Sequence, residues 1–79
     1  MTKAQAPRDP ALVAFGQKVR EARERAGRKQ GDFAAEVGIT RQHLTNVETA
    51  RYRASNVVLW RIANALEIDA SDVVQDVAS

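Results

Sequence analysis

The 79-residue chain has no cysteine and a single histidine, His43, which excludes a disulfide framework, a thiolate metal site and a metal shared between imidazoles. Its net charge of +2 hides a segregation: residues 1–30 carry eight Lys and Arg against three Asp and Glu, whereas residues 62–79 carry four acids and no cation. A chain of this size buries only about 60% of its unfolded surface, and its apolar runs "ALVAF" and "VVLW" fall far short of the about 20 residues that cross a bilayer. The expectation is one small cytoplasmic domain with no membrane segment, metal or cofactor, and its charge asymmetry suits a polyanionic partner.

Residues 1–8, "MTKAQAPR", lack periodic apolar positions and read as a disordered basic lead-in to a domain over 9–79. Asp9 then Pro10 is a helix start, because the carboxylate accepts an orphan N–H and proline fits the first helical position. Leu12, Phe15, Gly16, Val19, Ala22 and Ala26 recur at steps of three and four up to Gly27, which predicts a helix over 10–26. A short second helix over 30–37 carries Phe33, Ala34 and Val37 on one face and stops at Gly38. Its start is poorly capped. Arg28 and Lys29 stand where Ser, Thr or Asp would accept the free N–H groups, leaving those donors to water or to an external anion such as phosphate.

Thr40 caps a third helix over 41–49 with Leu44, Val47 and Glu48 inward, and "ARYRA" follows as an irregular basic loop. Ser55 caps a fourth helix over 56–66 whose buried stripe is Leu59, Ile62, Ala63 and Leu66. Asp69 and Asp72 have the spacing of a capping box for a brief last helix holding Val73, Val74 and Val77. No stretch alternates with a period of two, so the fold class is all-α.

The third helix carries the chemistry. At about 100° per residue, Gln42, Thr45, Asn46 and Thr49 cluster opposite Leu44, with Arg41 in the first turn. A merely solvated face favours Lys and Glu; Arg, Gln and Asn instead offer planar two-pronged hydrogen bonding. That geometry fits base edges in a DNA major groove, where Gln or Asn matches adenine N6 and N7 and Arg matches guanine O6 and N7. An ordinary polar face remains the competing reading on composition alone.

Spacing adds to this. Gln30, Ala34, Gly38, Leu44 and Val47 follow the order Q-x3-A-x3-G-x5-L-x2-V, which packs two helices through a tight turn: Ala34 small at the crossing, Gly38 able to take positive φ, Leu44 and Val47 as anchors. From about Phe15 to Ala70, through "FGQKVREARERAGRKQGDFAAEVGITRQHLTNVETARYRASNVVLWRIANALEID", the sequence resembles the lambda-repressor-like, or xenobiotic-response-element type, helix-turn-helix family. The resemblance implies a compact five-helix domain whose third helix lies in the major groove of double-stranded DNA. It implies Gln30 as a backbone clamp, Arg41, Gln42, Thr45 and Asn46 as base readers, and Arg51, Tyr52 and Arg53 as phosphate contacts; beside these, Lys29 and Thr40 are expected to meet phosphate, with His43 a packing residue or phosphate neighbour. It also implies a partly buried ion pair between Arg23 and Glu48 that seats the third helix on the first.

Four features depart from the family pattern: Lys29 replaces a hydroxyl cap, Gly31 weakens the first turn of the second helix, Ala50 stands where glycine is common, and the loop lacks the common proline near Ala54. Val57 and Trp60 fall off the inward stripe of the fourth helix, and with Val73 and Val77 they would form a self-complementary dimer patch; sealing the end of the core is the alternative. The expected function is transcriptional regulation as a homodimer on an inverted-repeat operator, in the manner of a phage repressor or a restriction–modification controller. The alternative is an antitoxin or protein-interaction module that neutralises a partner protein. With no nucleophile–base pairing or phosphate-cradling glycine loop, an enzyme is not expected.

Overall fold

A computed structural model describes residues 9–74, and four helices follow one another in it: α1 Pro10–Arg25, α2 Gln30–Val37, α3 Arg41–Glu48 and α4 Asn56–Leu66. Local chemistry sets their starts. Asp9 accepts the Ala11 N–H at 2.9 Å, Thr40 the His43 N–H at 3.0 Å and Ser55 the Val58 N–H at 3.2 Å, each satisfying a donor that the first turn leaves orphaned. Lys29 supplies no such bond to α2. Gly27 and Gly38 take the left-handed conformation that ends α1 and α2, with φ of 74° and 78°.

Helices α3 and α4 each pack on both α1 and α2. The shared core is built on Val19, Phe33, Leu44, Leu59 and Ile62, all fully buried, with Ala34 and Ala63 small where elements meet. The core stripe of α1 ends earlier than its periodicity predicts, because Ala26 is already the C-cap and is exposed. Ala50 and Glu67 adopt left-handed backbone, each with φ of 57°, although neither is glycine. No helix among the described residues is long and apolar enough to cross a membrane.

The fifth helix expected from Asp69 is not formed within the described residues, which contain four helices and no strand. Asp69 Oδ1 accepts the Ser71 N–H at 2.9 Å and Oδ2 accepts the Ser71 hydroxyl at 3.0 Å, so the carboxylate closes a local turn in place of a capping box. The backbone N–H of Ser71, then its hydroxyl, with Lys18 nearby, hold the Asp69 carboxyl below its ordinary range. A single turn follows, in which the Val73 and Val74 N–H groups both donate to Ala70 O at 3.0 and 2.9 Å.

That turn corrects another expectation. Val73, read as part of an exposed dimer patch, is 3% exposed; it lines a small hollow with Ala11 and Phe15 of α1 and belongs to the core. Val77 and the lead-in over 1–8 lie outside the described residues.

Candidate nucleic-acid interface

Helix α3 is anchored by Leu44 and Val47, which leaves Arg41 and Gln42 exposed and Thr45 and Asn46 half-buried on the other side. Gln42 Nε2 donates to Asn46 Oδ1 at 3.3 Å, so two expected readers, one turn apart, already touch. The Thr45 hydroxyl donates to Arg41 O at 3.1 Å and lies 3.4 Å from Gln30 Oε1. The hydroxyl of Thr40 is spent on capping α3, and His43 is half-buried beside it.

The uncapped start of α2 borders an open groove of about 530 Å³ lined by Arg23, Lys29, Gln30, Gly31, Asp32 and Arg41. A second groove of about 300 Å³, lined by Arg20, Arg23, Glu24, Gln30, Glu48 and Thr49, meets it at Gln30 and Arg23. Orphan N–H groups, the positive end of the helix and the cations Lys29 and Arg41 converge there, which is the chemistry an anion needs. Asp32 opposes this slightly while favouring the helix dipole from within the first turn.

Beneath the grooves lies the Arg23–Glu48 pair. Arg23 Nε donates to Glu48 Oε2 at 2.6 Å, NH2 to Glu48 Oε1 at 3.2 Å, and NH1 to Arg28 O at 2.8 Å. The two side chains are only 9% and 4% exposed, so every donor they own that faces the interior has to be matched. One guanidinium thereby ties α1 to the last turn of α3 and to the loop that leads into α2. Arg28 itself pairs with Glu36 across α2.

The loop after α3 is less uniform than expected. Arg51 and Tyr52 are exposed, Tyr52 by 64%. Arg53 is exposed as well, yet its NH2 donates to Asn56 Oδ1 at 3.0 Å and to Val73 O at 2.6 Å, fastening the loop to the C-terminal turn. Sequence reading missed Arg20, which lines the second groove and pairs with Glu24 at 3.2 Å. The signal was available, since Arg20 and Arg23 are three residues apart and share a helix face. On α4, Val57 and Trp60 are 59% and 47% exposed.

Two helices are joined at Gly38, the second presenting an exposed polar edge beside the start of the first, and the chain matches the helix-turn-helix domain family over residues 14–75. The chain belongs to the helix-turn-helix domain family. It is 42% identical over 48 residues, 61% of this chain and 70% of the relative, to an uncharacterized HTH-type transcriptional regulator of Methanothermobacter thermautotrophicus. Two solved structures share its fold. The restriction–modification controller protein C.AhdI from Aeromonas hydrophila superposes with a TM-score of 0.68 at 34% identity, covering 78% of this chain and 94% of that one. The clp gene regulator ClgR from C. glutamicum gives a TM-score of 0.71 at 25% identity, covering 87% and 88%. This helix-turn-helix protein is therefore of the DNA-binding, transcription-regulator type.

Proposed function

We propose that the protein regulates transcription as a homodimer bound to an inverted-repeat DNA operator. The observation that carries this reading is the adjacency of the exposed Arg41–Gln42 edge of α3 to the groove at the start of α2, which puts base-reading and phosphate-holding chemistry side by side. Arg41, Gln42, Thr45 and Asn46 read base edges; Lys29, Gln30, Thr40, His43, Arg51 and Tyr52 sit against the sugar–phosphate strands, with Arg53 contributing its remaining N–H groups. A single recognition helix contacts too few bases for a genome-wide choice, and exposed Val57 and Trp60 offer a surface for a second copy.

Selection from random duplexes at near-physiological salt tests this directly. The expected outcome is an inverted repeat whose half-sites are about 34 Å apart. Equal, weak retention of every duplex would overturn the proposal. The Val57–Trp60 surface also fits a protein partner, as an antitoxin would need. A stoichiometric second protein co-purifying from the native host, together with absent operator selection, would favour that reading.

A further inference from the structure

Gln30 sits at the first position of α2, half-buried, with its amide between two residues of α3. Its Nε2 donates to Glu48 Oε1 at 2.9 Å, and its Oε1 lies 3.4 Å from the Thr45 hydroxyl. The assignment of the two amide ends follows from chemistry, because a carboxylate bonded to Arg23 can only accept, so nitrogen must face it and oxygen must face the hydroxyl. Glu48 cannot itself turn away. Arg23 grips both of its oxygens from Nε and NH2.

We propose that Glu48 is a positioning residue for DNA recognition that acts through Gln30: the buried carboxylate fixes the Gln30 amide so that a donor faces the duplex. Among the described residues the second Nε2 proton of Gln30 has no acceptor, and Gln30 lines both grooves. With one proton on Glu48, the other is left for a phosphate oxygen or a purine N7, and the amide cannot rotate to offer its carbonyl without placing two oxygens together. A flexible glutamine would have to be ordered on binding; this one is ordered beforehand. Thr45, on the other side of the amide, directs its own proton inward to Arg41 O or Gln30 Oε1, so the phosphate-facing helix and the base-reading helix share one hydrogen-bonded unit.

The inference rests on the DNA-binding reading above, and the test separates the two. Wild type, Gln30→Met, the paired change Arg23→Met with Glu48→Leu, and all three changes together are titrated on the duplex that selection enriches and on a scrambled duplex. The paired change removes the carboxylate without orphaning the guanidinium. Gln30→Met and the paired change should each weaken the enriched duplex by about tenfold, and the triple variant should be no weaker than Gln30→Met alone. Losses that multiply in the triple variant, or a paired variant that binds as wild type does, overturn the positioning role and leave DNA binding intact. A wild type that holds both duplexes equally removes the DNA reading and this role with it. In the free protein, one Gln30 side-chain amide proton should be shifted downfield and exchange slowly in NMR spectra; free rotation and fast exchange would overturn the proposal without any variant.

Discussion

Gly16 of α1 lies so close to the last turn of α3 that a Cβ at this position would stand 2.6 Å from the carbonyl oxygen of Glu48 and 2.6 Å from that of Val47. Both neighbours are backbone, so neither can swing aside. Alanine is the better helix former by about 1 kcal/mol, yet here the steric term wins, because α1 and α3 would have to part along their shared contact. Gly16→Ala should lose about 1–3 kcal/mol in urea unfolding. An unchanged midpoint would mean that the two helices slide at little cost.

The Arg23–Glu48 pair makes an asymmetric prediction. Arg23→Met alone leaves a buried carboxylate with only Gln30 as donor and should cost about 3–5 kcal/mol. Adding Glu48→Leu removes the orphaned charge and should recover most of that loss, since apolar replacements of a buried pair are often neutral. Chemical denaturation of the three proteins decides it; equal losses for the single and double changes would show that the pair contributes attraction beyond its desolvation.

Glu67 and Ala50 share φ near 57° but not surroundings. Glu67 is exposed at the C-cap of α4, so Glu67→Gly relieves left-handed strain with no packing loss and should stabilise by about 0.5–1 kcal/mol. Ala50 is 7% exposed, so Ala50→Gly gives up a buried methyl worth about the same amount, and the net change should be close to zero. Thermal melts of both variants distinguish strain from burial.

Gln42 and Arg51 should separate on DNA. Gln42→Ala is expected to cost about 1–3 kcal/mol on the preferred operator and far less on random sequence. Arg51→Ala should weaken both alike and lower the salt slope by about 1. Because Gln42 already bonds Asn46, the double change Gln42→Ala with Asn46→Ala should fall short of the sum of the singles. Additive losses would assign the two amides to independent bases.

Helix α2 and helix α4 were legible to the residue, since Gly38 at the end of one and Ser55 at the start of the other act through bonds of a few residues' reach. The same short range misled at Asp69, where a pair of acids three apart suits either a capping box or a turn, and only the bond to Ser71 chooses. Two features of the site were not readable, because the Gln30–Glu48 bond spans 18 positions and the bond from Arg53 reaches a carbonyl 20 positions away; the burial of Val73 follows the alternative reading, in which it seals the core. The Arg23–Glu48 pair, 25 positions apart, was accessible through family resemblance. Left-handed backbone at Glu67 had no signal at all, because the residue type argues against it.

Trp60 is the sole tryptophan of the chain and stands 47% exposed on α4. An indole in contact with water emits at longer wavelength than one sheltered in an apolar contact, because mobile dipoles relax around its excited state. The protein therefore carries an intrinsic optical gauge: a blue shift that grows with concentration would count pairing events on that helix, and a spectrum indifferent to dilution would say that nothing covers it.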